Sequence, residues 1–592
     1  DADTTNALLK AVADHIEDRE PRVRSCVVDL LEALCRQCGV EAYEAVKGGI
    51  MDSIDANFDR DGFEEVEPEP AAGDGAGADT ASVGSASSTL SAKPTIAHDT
   101  VGWKALESSV RAIRASVTGC GAAFAEGGHL DTHLLNSVIP RASEHINRFV
   151  REAMYFLCDT IVKATPFATL EAVGFDSALC SLLARGLGDN WSQVRYASSV
   201  AIRSFLLAAS EPSKFHVALV PRLALNRYYV AEGVRLYSQE TWKLVMGTTG
   251  PAVVASVIDA VVSYYLTQSD ADNHAVREAA CHCIAELANK VDSAAVAPHV
   301  PSLLAALIVC FRDESWPVRD AACLATGRFV GCFPEESRPQ LDDLYGLWFD
   351  HLWDNIWSVR EDSAVSLTHV MRVYGDEAFD RILPKLDTMF DSAKDQPSES
   401  KKFGDLTNAT TFGVAKRARD NDPALHTGQQ VFSCGSLAPK LRKGGCMDHG
   451  HSRPREPWEA TDGAVYLLRE VASLRPEAAE PFLPKLAAAA EMKHFTHAPT
   501  LHETIWKQFP TLCEHLGKRL TKRHLELFVD PMVRCLRSPS RLAAFAAGEC
   551  ITTLQKFVGP RIFAGRLSPE QQAEVDASPY VGSTVPSSVP TA

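Results

Sequence analysis

The sequence predicts an all-α protein built from tandem helical hairpins, and three observations support this fold class. A Val-Arg pair followed by a small-residue amphipathic segment recurs, with spacings of 44, 40, 42, 42 and 41 between arginines from Arg151 to Arg360. Before each pair stands another segment with helical apolar spacing, such as Val300, Leu303 and Leu307. A fixed period of this length is typical of stacked repeats, in which each hairpin buries its apolar face against its neighbours. The pairs are Val23-Arg24, Val150-Arg151, Val194-Arg195, Val234-Arg235, Val276-Arg277, Val318-Arg319 and Val359-Arg360.

Composition limits the classes of protein and partner. Of the 592 residues, 46% are hydrophobic and 23% charged, the balance of an ordinary globular chain. The net charge of −17 disfavours binding of a nucleic-acid backbone, so nucleic acid is not an expected partner. The apolar stretch from Pro251 to Leu266 is interrupted by Asp259, and no membrane span is expected. Sixteen scattered cysteines indicate reduced, buried thiols and a cytoplasmic or nuclear protein.

Two gaps in the period define the domain organisation. Arg24 and Arg151 are 127 residues apart, and removing the 34 residues of 66–99 leaves about two repeats. Arg360 and Thr461 are 101 residues apart, which is one repeat plus an insertion of about 60 residues. The predicted segments are N-terminal repeats at 1–63, a disordered acidic Gly/Ala/Ser/Pro-rich linker at 64–99, a repeat array at 100–394, a long inserted loop at 395–457, C-terminal repeats at 458–565 and a disordered tail at 566–592.

The array is expected to continue after the second gap. The segment from Trp458 to Ala464 aligns with that from Trp316 to Ala322, with Thr461 in place of the arginine. The next equivalent positions, His502 and Arg541, follow at spacings of 41 and 39. We therefore predict one array with two long interruptions.

An acid precedes several of these arginines by six positions, or by five in one case, and a Trp or Trp-Pro often stands between them. This combination closely resembles the HEAT repeat. The resemblance implies a right-handed α-α superhelix of roughly ten to eleven helical hairpins, with Asp–Arg pairs forming a ladder between neighbouring repeats. An arginine fork is able to bind a carboxylate together with main-chain carbonyls, which suits such a position. The predicted ladder residues are Asp18, Arg24, Asp189, Arg195, Asp272, Arg277, Asp313, Arg319, Asp354 and Arg360.

The long insertion offers candidate binding residues. Its Cys434, Cys446, His449 and His451 have side chains that suit zinc, but their spacing matches no identified zinc pattern, so a loop without metal is preferred. Basic residues beside two prolines make the same segment a candidate partner-binding site, namely Lys440, Arg442, Lys443, Arg453 and Arg455.

A second basic segment lies near the C-terminus. Lys518, Arg519, Lys522 and Arg523 begin a stretch with few acids, and an acidic partner or a phosphate would complement it. The alternative interpretation is an ordinary solvated helix face.

The sequence contains no Gly-x-Ser-x-Gly, phosphate-binding loop or His-Glu-x-x-His motif. It therefore predicts a non-catalytic scaffold that needs no cofactor and binds other proteins through an extended surface. Within that class the sequence resembles importin-β transport receptors, the scaffold subunit of type 2A phosphatase and tubulin-binding TOG arrays. A metal-dependent enzyme or zinc module carried by residues 395–457 is the alternative from a different class.

Overall fold

In the computed structural model, residues 2–58, 102–313, 315–399 and 455–582 are described. These residues form helices, turns and bends, and contain no β-strand. The described part of the chain divides into two compact units, the first up to Val261 and the second from Val262 onward. The predicted linker at 64–99 lies outside the described residues.

In the first unit, one long helix of each hairpin packs on the corresponding helix of the next hairpin. We call these B helices, and in this unit they are α2, α4, α7, α10 and α12. The helices are α1 Ala2–His15, α2 Pro21–Cys38, α3 Val40–Phe58, α4 Trp103–Cys120, α5 Ala122–Glu126, a π-helix Leu134–Val138, α6 Ile139–Glu144, α7 Arg148–Ala164, α8 Phe167–Ala172, α9 Phe175–Gly186, α10 Ser192–Ala208, a 3-10 helix Pro212–Phe215, α11 His216–Asn226, α12 Glu232–Val245, a 3-10 helix Gly247–Thr249, α13 Gly250–Ser256 and α14 Ile258–Ser269, which runs into the second unit.

The second unit has the same organisation, and its B helices are α15, α18, α21, α23, α26 and α28. Its helices are α15 His274–Lys290, α16 Ser293–Val296, a 3-10 helix Ala297–His299, α17 Val300–Phe311, α18 Trp316–Cys332, α19 Pro334–Ser337, a 3-10 helix Arg338–Gln340, α20 Leu341–His351, α21 Trp357–Tyr374, α22 Asp376–Ser392, a 3-10 helix Ala393–Asp395, α23 Pro457–Leu474, α24 Pro476–Ala479, a 3-10 helix Glu480–Phe482, α25 Leu483–Glu491, α26 Ala498–His524, α27 Glu526–Cys535, α28 Arg541–Val558, α29 Pro560–Ala564 and α30 Pro569–Ala577.

The first helix of a hairpin is often broken into short pieces, which the simple pattern of helix, turn and helix did not predict. Between α18 and α21, a four-residue helix and a 3-10 turn precede α20. Prolines mark these breaks, for example Pro334 and Pro339 here, and Pro298 and Pro301 in the preceding repeat. Proline lacks an amide hydrogen and is tolerated in the first turn of a helix, so each piece begins at or near one.

Small residues let the B helices approach closely. A Cβ at Gly327 of α18 would lie 2.6 Å from the Cβ of Ser366 in α21, closer than two side chains pack. Ser366 donates a hydrogen bond to the main-chain oxygen of Cys323 at 2.9 Å. This spacing explains why small residues follow the Val-Arg pairs.

The predicted disorder of 566–592 is wrong for the part of this segment that is described. Residues 569–577 form α30, which begins with a capping box between Ser568 and Gln571. Val575 is buried, and Glu574 pairs with Arg537 at 2.5 Å. These contacts hold the helix against α27.

The stretch Ser293–Phe311 is long and apolar enough, by length and composition, to cross a membrane. The apolar stretch noted in the sequence was a different one, Pro251 to Leu266. In the structure Ser293–Phe311 is the first part of a hairpin, and its Leu303, Leu304 and Leu307 are fully buried. Because α17 packs on α18, its apolar character has a structural explanation in this chain.

Candidate functional site

The arginine ladder is clearest at Arg277, near the start of α15. Its Nε and Nη2 donate to the two carboxylate oxygens of Asp313 at 2.6 and 2.9 Å. Its Nη1 donates to the main-chain oxygens of Ala271 and Asp272 at 2.8 and 3.0 Å. One guanidinium therefore closes the turn of its own hairpin and binds the turn of the next one.

The same geometry recurs at two other arginines. Arg319 contacts the carboxylate of Asp354 at 3.1 and 3.2 Å and the main-chain oxygen of Asp313 at 3.0 Å. Arg151 contacts the carboxylate of Asp189 at 2.8 and 3.1 Å. The ladder thus joins the arginine of one repeat to the aspartate of the next repeat.

The aspartate six residues before an arginine is therefore not its ion-pair partner, since the Asp313 carboxylate binds Arg277 and not Arg319. Where an acid stands six residues before the arginine, it supplies its main-chain carbonyl to that arginine, as Asp354 does for Arg360. The carboxylates of Asp189, Asp313 and Asp354 bind the arginine of the previous repeat. Asp313 Oδ1 also accepts a hydrogen bond from the turn amide of Ser315 at 2.8 Å. The spacing of six is the signature of the turn, and the ion pair crosses between repeats.

Two predicted ladder arginines, Arg24 and Arg195, differ from this arrangement. Arg24 donates to the main-chain oxygens of Asp18 and Arg19 at 2.8 and 3.2 Å. Arg195 donates to Asn226 Oδ1 at 2.7 Å, and its guanidinium lies 4.3 Å from the centroid of the Tyr229 ring. An amide and an aromatic ring here replace the carboxylate, while Asp189 still provides a main-chain acceptor.

After the insertion the ladder continues through a different acid. Arg360 Nε donates to Asp462 Oδ2 at 2.8 Å, and both side chains are almost fully buried. Asp462 lies within α23, one residue after Thr461, and not in a turn. Burial raises the pKa of Asp462, while the Arg360 guanidinium opposes this shift. Thr461, which replaces the arginine, bridges the Ala393 amide and the Met389 carbonyl at 3.0 and 2.8 Å.

Both ends of the long insertion are fastened to the second unit. On the entry side, Gln396 accepts from the Trp458 amide at 3.1 Å, and the Ser398 carbonyl accepts from the Thr496 amide at 3.1 Å. On the exit side, Trp353 donates to the Glu456 carbonyl at 2.7 Å. The insertion therefore leaves and rejoins the repeat at the turn between α22 and α23.

The candidates within the insertion lie almost entirely outside the described residues. These are Lys440, Arg442, Lys443, Arg453, Cys434, Cys446, His449 and His451. Arg455 is described, and it pairs with Asp350 at 2.6 Å. No group of three or more metal-binding side chains occurs within the described ranges.

The C-terminal basic segment is partly neutralised by neighbouring repeats. Arg523 pairs with Glu480 at 2.7 Å and therefore has a structural partner. Lys518 and Arg519 are exposed and Lys522 is half-buried; none of these three forms an ion pair with a described residue. Lys518 Nζ lies 5.7 Å from the centroid of the Phe557 ring at the end of α28.

Three exposed indoles lie along the turns of the second unit, and we call Trp316, Trp353 and Trp357 the tryptophan edge. Their exposed fractions are 43%, 39% and 60%. Trp316 and Trp357 each stand three residues before a ladder arginine, at the start of neighbouring B helices. Trp353 directly precedes Asp354, the partner of Arg319. The ladder therefore fixes the position of all three.

Trp458 occupies the position equivalent to Trp316 but is buried. It stacks on His497 with ring centroids 5.3 Å apart. In the first unit, Trp191 is covered by Arg148, whose guanidinium lies 4.0 Å from the ring centroid. Exposure of the indole is thus particular to the tryptophan edge among these positions.

Two interacting carboxyl groups, Asp320 on α18 and Asp362 on α21, were not predicted from the sequence. Burial, followed by the nearby charge of Asp320, raises the pKa of Asp362 to about 8. Burial also raises the pKa of Asp320, whose Oδ1 has no hydrogen-bond partner among the described residues. No motif marks this pair, because each residue belongs to a different repeat.

Comparison with known proteins agrees with the repeat geometry. Residues 274–329, which include α15, α17 and most of α18, match the HEAT-like repeat family. No curated protein matches the sequence. Among solved structures, one in which Kap95p binding induces the switch loops of RanGDP to adopt the GTP-bound conformation is 12% identical, with a TM-score of 0.35, over 97% of this chain and 65% of that one. Kap121p bound to the extreme C-terminus of the protein phosphatase Cdc14p is 12% identical, with a TM-score of 0.36, over 97% and 52%.

The chain thus spans about two thirds or half of the length of these two karyopherins, and at such scores the similarity assigns no activity. The repeat assignment depends instead on the matched residues 274–329 and on the recurrence of their geometry in the neighbouring hairpins. The cross-repeat arginine pairs extend on both sides of the matched residues, from Arg151 to Asp462. Residues 274–329 therefore match a HEAT-like repeat, and the described residues as a whole form an all-α array of helical hairpins.

Proposed function

We propose that this protein is a non-catalytic scaffold that binds other proteins, and that the tryptophan edge is one of its binding surfaces. The observation that supports this proposal is the exposure of three indoles on consecutive turns. Tryptophan is enriched among the residues that dominate binding energy at protein interfaces. An exposed indole on a rigid turn also loses little conformational freedom when a partner covers it.

The ladder supplies the rigidity that this proposal needs. Trp316 lies one helical turn from Arg319, and Trp353 is adjacent to Asp354, so the Arg319–Asp354 pair ties the two turns together. The indole nitrogen of Trp353 is further held by the Glu456 carbonyl. A partner would therefore meet a preformed surface.

We place the protein in the cytoplasm or nucleus and assign it no cofactor. Ten of the fourteen described cysteines are buried, and burial raises the pKa of thiols such as Cys35, to about 12, and Cys158. Such thiols are poor nucleophiles and pack as small apolar side chains. This chemistry suits a reducing compartment.

Two finer forms of the proposal remain distinct. An importin-β-like transport receptor would bind a small GTPase, whereas a regulatory scaffold of the type 2A phosphatase kind would bind a phosphatase catalytic subunit. Identification of the proteins that co-purify with the intact protein would distinguish a transport receptor from a phosphatase scaffold. A metal-dependent module in residues 395–457 would instead show stoichiometric zinc or iron in metal analysis of the intact protein.

The test is capture of partners by the intact protein, followed by direct binding of the purified partner. The double variant Trp316→Ala/Trp357→Ala should weaken that binding by roughly 30-fold or more, the effect of losing about 2 kcal/mol at one dominant residue. The matched control is Leu207→Ala/Leu244→Ala, which removes apolar side chains that are 58% and 57% exposed in the first unit. Equal binding by both variants would refute the assignment of this edge.

A further inference from the structure

The C-terminal repeats carry an excess of positive charge, and this feature is independent of the tryptophan edge. Residues 493–566 contain twelve Lys or Arg and five Asp or Glu, in a chain whose net charge is −17. Several of these cations have partners, because Arg534 pairs with Glu491, Arg537 with Glu574 and Arg566 with Glu526. Local excess charge therefore survives after the internal ion pairs are removed.

Most of the cations of this segment without an ion-pair partner lie near the turns at Gly517 and Gly559. Lys518, Arg519, Lys522, Lys556 and Arg561, here called the basic cluster, form no ion pair with any described residue. All are exposed except Lys522, which is half-buried. The proximity of Lys518 to the Phe557 ring brings the turn at Gly517 next to the turn at Gly559, where Lys556 and Arg561 lie.

Nearby helix ends and acidic side chains neutralise only a small part of the positive charge of the basic cluster. The helical segment that ends at Gly517 and α28, which ends at Val558, direct their carbonyl ends toward these turns. Each helix end carries a partial charge of about −0.5, far less than the five full charges present. Of the acids in this segment, Glu503 pairs with Lys507, Glu526 pairs with Arg566 and Asp530 accepts from Gln571, which leaves Glu514 and Glu549.

We infer that the basic cluster is a docking surface for an acidic segment of a partner protein. The cations are spaced along two neighbouring turns, which suits an extended peptide with several carboxylates. Exposed apolar surface beside them, from Ile562 and the half-buried ring of Phe557, favours a peptide over a free anion. The overall acidic charge would repel a long nucleic acid outside this cluster.

The experiment measures binding of a fluorescently labelled Glu/Asp-rich peptide to the intact protein by anisotropy. The variant Lys518→Glu/Arg519→Glu/Lys522→Glu should weaken binding by roughly tenfold or more, because charge reversal replaces attraction with repulsion. Raising the salt concentration from about 0.1 M to about 1 M shortens the screening length from about 10 Å to about 3 Å and should weaken wild-type binding strongly.

The matched control is Lys10→Glu/Lys243→Glu/Arg372→Glu, which makes the same change in net charge at three dispersed, exposed positions. This control should retain wild-type affinity. Equal loss in both variants, or absence of saturable binding by the wild type, would overturn the inference. Tighter binding of a single-stranded oligonucleotide of equal charge would also overturn it, in favour of nucleic acid. Since the tryptophan edge is unchanged in these variants, failure here leaves the proposed scaffold function standing.

Discussion

Removal of Arg277 should destabilise the array by severing a bond between two repeats. The Arg277 and Asp313 side chains are 9% and 12% exposed, and two charge-assisted hydrogen bonds join them. The variant Arg277→Met keeps most of the apolar stem but leaves the Asp313 carboxylate and two carbonyls without their donor. Loss of one member of a buried ion pair costs about 3 to 5 kcal/mol, and we expect about 3 kcal/mol at this slightly exposed position.

A double-mutant cycle with Asp313→Asn isolates the pair. Asparagine retains an oxygen for the Ser315 amide, so this change removes the charge and spares the turn. The free energy of unfolding, measured by urea denaturation with far-UV circular dichroism, should show a coupling of about 1 to 3 kcal/mol between the two positions. The exposed pair of Arg338 and Glu377, at 50% and 43%, is the matched control, and Arg338→Met should leave the free energy of unfolding nearly unchanged.

A second cycle tests which repeat Asp313 serves. The contact of Arg319 with Asp313 is a hydrogen bond to the main-chain oxygen, not to the carboxylate. The variant Asp313→Asn leaves this oxygen in place. Coupling between Arg319→Met and Asp313→Asn should therefore be close to zero. Coupling as large as that between Arg277 and Asp313 would refute the cross-repeat ladder, and so would an unchanged stability of Arg277→Met.

Three further predictions follow from other contacts. Because the pKa of Asp362 is raised to about 8, the folded state binds more protons than the unfolded state above about pH 4, and the free energy of unfolding should fall as the pH rises toward 8. The variant Asp362→Asn should remove part of this pH dependence and stabilise the protein by about 1 to 2 kcal/mol at pH 8. A slope that is the same in both proteins, measured by thermal unfolding from pH 5 to pH 8, would contradict the raised pKa. Replacement of residues 401–453 by a short Gly-Ser linker should shift the melting temperature by less than about 3 °C, because Gln396, Ser398 and Glu456 hold both ends of the insertion. A large loss of helicity would show that the repeats need the insertion in order to fold. Truncation after Leu567 should destabilise the last hairpin by about 1 to 3 kcal/mol, since it removes the buried Val575 and the Glu574 partner of Arg537. Unchanged hydrogen-exchange rates in α27 and α28 would show that α30 does not stabilise this hairpin.

The sequence predicted the hairpin architecture because the structural period is set by local contacts. Arg319 must return to its own turn, which fixes the spacing of six to Asp313. The ion pair could not be assigned in the same way, since it joins residues 35 to 38 positions apart, as Arg319 to Asp354 and Arg151 to Asp189 show. Arg151 was omitted from the predicted ladder because His145 stands six residues before it, although only the main-chain oxygen of that position is needed.

Other features depended on contacts that no local pattern encodes. Asp462 replaces a turn aspartate across a separation of 102 residues, which the insertion conceals. Asp320 and Asp362 acquire their shifted pKa values only when α18 packs on α21. The helix α30 was predictable, by contrast, since Ser568-Pro569-Glu570-Gln571 has the spacing of a capping box, but the surrounding Ser/Pro-rich composition outweighed that signal.

The exposure of the tryptophan edge is likewise a property of packing. Trp316, Trp357 and Trp458 share one position of the repeat, yet only Trp458 is buried, because His497 stacks on it. The sequence therefore located the indoles but not their availability to a partner. That distinction separates a core residue from a candidate binding residue.

The scaffold proposal is tested most directly by titrating the purified intact protein with its captured partner in an isothermal titration calorimeter. We expect saturable binding at a fixed stoichiometry, and a loss of roughly 30-fold in affinity for Trp316→Ala/Trp357→Ala with no change in melting temperature. A captured partner that shows no saturable binding to the purified protein would contradict the scaffold function, and full affinity in the folded double variant would contradict the place assigned to it.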